Sequence, residues 1–180
     1  ARSGTDSLAN AQPLCFRYLR GMVAIANNGS LTNAQELRLS LSTTGSVFQS
    51  SSDTEVIINL IARYGQNTIE EALMKCLIDL KGAYSLVVMT EDKLIGLRDP
   101  YGVRPLCLGK MGDAFILASE SCALDTLGAE YLRDVEPGEI VVIDENGLHS
   151  IKTLMKTQRA FCVFELVYLA RPNSVMGGEV

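Results

Sequence analysis

Two short stretches carry side chains suited to chemistry on an amide. Residues 28 and 29 are Asn-Gly, placed between the apolar run "GMVAIA" (21–26) and the helix-forming "TNAQELR". Glycine lets the backbone turn with positive φ and lets another group approach its N–H, while an asparagine carboxamide is a neutral donor that does not titrate. Asn28 and Gly29 together could form an oxyanion hole, where one donor contributes about 3 kcal/mol to a tetrahedral transition state. Asn-Gly is equally a hairpin-turn dipeptide, so both readings stand at this level. Asp53, next to Ser52, has two readings as well. It is either a first-turn carboxylate favoured by the helix dipole, worth about 0.3–1 kcal/mol, or a fixed anion for a substrate ammonium.

The segment "LRDPYGVRPL" (97–106) packs two arginines, an aspartate, two prolines and a glycine into ten residues, which predicts a rigid turn with Arg98 and Arg104 holding Asp99 or nearby carbonyls. Other chemistries are poorly supplied. The single histidine, His149, follows Glu145-Asn146-Gly147 in a predicted hairpin and is expected at the surface, which excludes histidine triads and multi-histidine metal sites. The five cysteines (Cys15, Cys76, Cys107, Cys122, Cys162) contain no C-x-x-C pair and read as reduced thiols. Cys15 and Cys107 fall inside predicted strands and are expected in the core.

These residues must be positioned by a core, and the chain can build one. It has 180 residues, 47% of them hydrophobic, and no repeat or linker, which predicts one domain spanning 1–180. The formal charge of −5, with no basic cluster, argues against nucleic acid. No apolar stretch is long enough to cross a bilayer, and the expectation is a soluble, cytoplasmic protein. "SDTEVIINLIARYG" predicts a helix capped by Ser52 and stopped by Gly65, and "TIEEALMKCLIDLKG" predicts a second capped by Thr68. Besides the strand around Cys15, strands are predicted at 21–26, 83–90, 94–98, 104–110, 114–119, 139–144 and 148–152, with a short helix closed by Gly128. Grouped helices and antiparallel hairpins describe an α+β layered domain.

The blocks "IANNGSLTNAQELR", "FQSSSDTEVIINLIAR", "LKGAYSLVVM", "LRDPYGVRPLCLGK", "ASESCALDTLGAEYLRDVEPGE" and "CVFELVYLARPNS" resemble, in order over nearly all of the chain, the glutaminase domain of the amidophosphoribosyltransferase family. The first half is similar to the wider class of N-terminal-nucleophile amidotransferases. The resemblance implies a four-layer αββα sandwich, truncated at the amino end, in which an amino-terminal cysteine attacks the side-chain amide of glutamine. It also implies that ammonia passes to a phosphoribosyltransferase domain and displaces pyrophosphate from phosphoribosyl pyrophosphate, giving phosphoribosylamine in the first committed step of purine biosynthesis. Asn28 and Gly29 match the family's oxyanion pair, and Asp53 matches the acid that holds the glutamine α-amino group.

The departures are specific. Asn27 stands where the family has histidine, and Ser30 where it has asparagine. The nucleophilic cysteine and the family's carboxylate-gripping arginine have no counterpart; Arg2 matches a threonine position and does not take the arginine's role. This chain alone is therefore expected to be inactive, with the phosphoribosyltransferase domain also absent. In one branch of the family a cysteine matching Cys162 ligates a [4Fe-4S] cluster, so the resemblance implies that cluster and Mg2+ only for a full-length enzyme, which would be a homo-oligomer. The rival expectations are the glutaminase domain of an asparagine or glucosamine-6-phosphate synthase type enzyme, or a non-catalytic module of the same fold.

Overall fold

The computed structural model describes residues 8–65, 67–153, 157–160, 162–164, 168, 170–171 and 174–175. A 3-10 turn at Leu8–Asn10 leads into β1 (Leu14–Tyr18) and β2 (Gly21–Leu31). Three helices follow: α1 (Ala34–Thr43), α2 (Asp53–Tyr64) and α3 (Ile69–Asp79). Then come β3 (Gly82–Met89), β4 (Leu94–Arg98), β5 (Cys107–Met111), β6 (Ala114–Ala118), α4 (Ser121–Leu127), β7 (Glu130–Asp134), β8 (Glu139–Asp144) and β9 (Gly147–Lys152). Antiparallel pairing gives a six-stranded sheet ordered β1-β2-β3-β4-β8-β9 and a three-stranded sheet ordered β6-β5-β7.

The layers follow from strand alternation. Successive side chains on a strand point to opposite faces, so a strand apolar at every position must be covered on both sides. On β3, Tyr84, Leu86 and Val88 join the helix-side core with Val56, Ile57, Leu60 and Leu73. Val87, between them, packs toward the second sheet with Leu106, Leu108, Val141 and Phe115. The far face of the small sheet, through Cys107 and Ile116, packs on Leu124 of α4 and on Ala129. The sequence of layers is helices α1 to α3, six strands, three strands and α4, as the four-layer αββα expectation requires. No helix among the described residues is long and apolar enough to cross a membrane.

Local chemistry explains the helix boundaries. Ser52 caps α2 by accepting the Thr54 N–H at 3.2 Å, and Thr68 caps α3 by accepting the Glu71 N–H at 3.2 Å. Each large aliphatic that α2 buries contributes about 1.5–3 kcal/mol, which fixes the helix against the sheet.

Two expectations are corrected here. The strand begun at residue 21 does not stop at 26: it runs through Asn27, Asn28 and Gly29 to Leu31, because β3 pairs with it from Ala24↔Met89 to Leu31↔Gly82. The Asn-Gly pair is thus strand, not turn. Cys15 is exposed rather than in the core. β1 lies at the sheet edge, and none of the apolar side chains packed between the sheets comes from it, so only Leu14, Phe16 and Tyr18 pack on the core. Cys107 is buried as expected, and burial pushes its thiol up to about 12.

Candidate active site

The candidate site is built on one edge of β2. β1 covers that edge only as far as the pair Leu14↔Ile25. Beyond it, a side chain takes over the ladder: Gln12 Nε2 donates to the Asn27 carbonyl at 3.2 Å, and the Asn27 N–H donates to Gln12 Oε1. Four residues on, the Leu31 N–H donates to Asp53 Oδ2 at 2.9 Å, and the Ser30 hydroxyl donates to the same oxygen at 3.2 Å. Backbone N–H groups alternate in direction along a strand, so Gly29, two residues from Asn27 and two from Leu31, has the parity of this edge. The edge carries, in order, Gln12, Gly29 and Asp53. Of these three, Gly29 and Asp53 were singled out from the sequence, and Asn28 lies next to Gly29 on the same strand.

Gly29 is required by β3 as much as by any ligand. Its φ is +151°, and a Cβ there would lie 2.1 Å from the Ala83 carbonyl oxygen and 2.6 Å from Tyr84 Cα. The Asn28 side chain takes the opposite face from that of Asn27, and its Nδ2 lies 3.5 Å from Ser119 Oγ at the end of β6. Asn27 is buried and its Oδ1 has no hydrogen-bond partner among the described residues.

Asp53 is held from behind. Arg38 of α1 donates to the carbonyls of Ser50 at 2.9 Å and Ser52 at 3.0 Å, with its guanidinium 4.2 Å from the centre of the Phe48 ring. Glu55 accepts the N–H groups of Gln49 and Ser50, each at 2.7 Å, and the Ser50 hydroxyl at 2.7 Å. The loop that delivers Asp53 is thus tied on both sides, which fixes the carboxylate at the first residue of α2. The Ser30 and Leu31 bonds to Asp53 both fall on Oδ2, which leaves Oδ1 as the oxygen to face a cation.

The Arg98–Asp99 turn buttresses the same region. Arg98 is buried and donates to the carbonyls of Arg104 at 2.8 Å, Val135 at 2.7 Å and Gly102 at 2.8 Å. Its pKa is lowered by burial. Asp99, fully buried, accepts N–H groups of Tyr84 at 3.3 Å, Tyr101 at 2.9 Å and Val103 at 3.1 Å. Tyr84 is the register partner of Gly29, so this turn supports the strand against which Gly29 packs. Arg104 contributes through its carbonyl, which also accepts the Ser85 hydroxyl at 3.0 Å. The rigid-turn reading of "RDPYGVR" stands on these bonds.

Sequence reasoning missed Gln12 and Arg38. No local pattern marks either, since the partners of Gln12 are 15 residues away and those of Arg38 are 12 and 14 away. Cys162 is part-buried, and among the described residues no group of three or more His, Cys, Asp or Glu could hold a metal ion. His149 is exposed, 3.7 Å from Asp144. Arg2 lies outside the described residues.

Comparison with known proteins agrees with this fold. Residues 2–126 match the family model for a glutamine amidotransferase domain. The chain is 46% identical over 179 residues to the amidophosphoribosyltransferase of Bacillus subtilis strain 168, covering 99% of this chain and 38% of that protein. It is 40% identical over 178 residues to the amidophosphoribosyltransferase of Archaeoglobus fulgidus, covering 98% of this chain and 39% of the relative. The solved structure of the glutamine phosphoribosylpyrophosphate amidotransferase from B. subtilis, complexed with ADP and GMP, superposes with a TM-score of 0.92 at 46% identity, over 97% of this chain and 38% of that one.

The layers and the strand-edge site define an α+β sandwich of the N-terminal-nucleophile hydrolase type. Within that class, the chain belongs to the glutamine amidotransferase domain family. It spans somewhat more than a third of the length of the curated relatives it matches.

Proposed function

We propose that this chain is the glutamine-hydrolysing part of an amidophosphoribosyltransferase, with Asn28 and Gly29 as transition-state donors and Asp53 as the substrate anchor. The observation that carries the reading is the order along one strand edge, where Gly29 lies two residues from the Leu31 N–H that Asp53 accepts. Glutamine would lie along this edge with its α-ammonium on Asp53 Oδ1. A cysteine thiol, supplied from outside this chain, would attack the side-chain amide carbon, and negative charge would move to the carbonyl oxygen. The Asn28 carboxamide and the Gly29 N–H would bind that oxyanion; each such donor is worth about 3 kcal/mol in the transition state and costs no reorganisation because the strand already fixes it. Collapse of the intermediate would release ammonia, and hydrolysis of the acyl-enzyme would release glutamate.

The whole-protein reaction goes further. Ammonia would displace pyrophosphate from phosphoribosyl pyrophosphate to give phosphoribosylamine, in a homo-oligomer acting in the cytoplasm. Mg2+ would accompany phosphoribosyl pyrophosphate, and Cys162 would be one thiolate ligand in a full-length enzyme that carries a [4Fe-4S] cluster. A single thiolate does not hold such a cluster, and no step above depends on it.

The test is product balance in the full-length protein containing this chain, given glutamine, phosphoribosyl pyrophosphate and Mg2+. Equal yields of glutamate and pyrophosphate are expected. Glutamate without pyrophosphate would move the chain to another amidotransferase type, and neither product would make it a non-catalytic module.

A further inference from the structure

The junction between β6 and α4 carries a polar cluster that the glutamine site does not use. Glu120 stands at the N-cap of α4, yet its side chain caps nothing. Glutamate is a poor capping residue, so its presence there calls for another partner. That partner is distant in sequence: Glu120 Oε2 accepts the Arg171 N–H at 2.9 Å and the Ser174 hydroxyl at 2.9 Å, with Cys122 Sγ at 3.7 Å. Beside it, the buried Ser121 accepts the Val175 N–H on its Oγ at 2.7 Å. Ser174 is itself buried, and its N–H donates to the Arg171 carbonyl at 3.0 Å. The N–H of Arg171 is the main cause that holds the Glu120 carboxyl below its usual range, so the charged form is the one that binds.

The opposite side of the junction faces the candidate site. Ser119 immediately precedes Glu120, and its Oγ accepts the Asn28 Nδ2 at 3.5 Å. A single backbone step therefore separates the residue that touches the Asn28 carboxamide from the residue that seats the chain around Arg171 and Ser174.

We propose that Glu120 is a positioning residue: its carboxylate latches the chain at Arg171 and Ser174 and thereby fixes Ser119 against the Asn28 carboxamide. The inference rests on the assignment of Asn28 as an oxyanion donor. It makes the donor geometry dependent on whether the latch is closed, and so ties hydrolysis to the state of the chain beyond α4. Opening the latch would misplace a group that acts in the transition state, so kcat would fall while KM for glutamine, set at Asp53, would stay.

The test uses the full-length protein with Glu120→Gln and, independently, Ser121→Ala, which removes the Val175 bond and leaves the carboxylate. Hydrogen–deuterium exchange reports the latch without any activity, and glutaminase kinetics report the positioning. Both variants are expected to speed exchange of the Arg171 and Val175 amides by about tenfold. They should also lower glutamine kcat about three- to tenfold, with KM and ammonia-dependent synthesis within about twofold of wild type. Unchanged exchange overturns the latch, and faster exchange with unchanged kcat overturns the positioning role. A wild-type protein with no glutaminase activity overturns the functional reading instead, while the exchange result still stands on its own.

Discussion

Asp53 Oδ2 accepts the Leu31 N–H at 2.9 Å, so the first residue of α2 is bonded to the last residue of β2. This single bond converts two sequence-separated motifs into one site. It also gives Asp53 a structural task alongside the proposed substrate contact, and a variant must separate the two.

Asp53→Asn does so. The amide oxygen of asparagine can still accept the Leu31 N–H, while the negative charge is lost. A hydrogen bond to a charged group contributes about 1.5–3 kcal/mol, so KM for glutamine should rise about 10- to 100-fold. Ammonia-dependent synthesis in the full-length protein should be nearly intact, because free ammonia bypasses this site. Steady-state kinetics with both nitrogen donors check it; equal loss of the two activities contradicts the assignment.

Asn28→Ala removes a carboxamide that, among the described residues, has the long contact to Ser119, so stability should change little. Glutamine kcat should fall about 100- to 1000-fold with little change in KM, the pattern of a donor that acts in the transition state. An unchanged kcat removes Asn28 from the oxyanion role.

Gly29→Ala is a different experiment. A Cβ 2.1 Å from the Ala83 carbonyl oxygen must push β2 from β3. The expected outcome is a loss of several kcal/mol, read as a lowered Tm, before any catalytic effect can be isolated. An alanine variant as stable as wild type would show that the strands open at this position without cost.

Arg98→Met takes the guanidinium away from the carbonyls of Gly102, Arg104 and Val135, of which, among the described residues, only that of Arg104 keeps a further side-chain donor, Ser85. Removing a buried charged donor of this kind costs about 3–5 kcal/mol, or roughly 10 °C in Tm for a domain of this size. Calorimetry checks it; a shift of less than about 2 °C would mean that water replaces the guanidinium.

Acid stability follows from Glu139. Burial alone would raise its pKa, but the Arg133 guanidinium at 2.8 Å, the Ser150 hydroxyl at 2.5 Å and the Glu136 N–H at 2.7 Å outweigh it and hold the carboxyl below the usual range. A carboxyl depressed in the folded state contributes stability above its unfolded pKa of about 4.3, and that contribution is lost as pH falls through the folded value. Urea unfolding from pH 6 downward should show stability dropping below about pH 4.3 in wild type, with a shallower drop in Glu139→Gln. Parallel curves would contradict the role of this group.

Much of the fold was legible because its signals are local. Ser52, Thr68 and Gly128 mark helix ends through bonds within a few residues, and two-sided apolar strands such as "SLVVM" announce burial on both faces. What was missed depends on distant partners. Asn27-Asn28-Gly29 reads as a turn until β3 pairs with it, and tertiary pairing then overrides local preference. β7, "EYLRD", carries charges at both ends and lies at the edge of the small sheet, so no apolar alternation announces it. Of the candidate site, Asn28, Gly29 and Asp53 were visible as residue types, whereas Gln12 and Arg38, which bond to the backbones around them, were not.

The most direct measurement is a crystal structure of the full-length protein trapped with a glutamine analogue bearing an electrophilic ketone in place of the amide. The account predicts the analogue's ammonium about 3 Å from Asp53 Oδ1 and its ketone oxygen about 3 Å from both Asn28 Nδ2 and the Gly29 nitrogen. An analogue bound away from this edge of β2, or bound with its ammonium remote from Asp53, would contradict it.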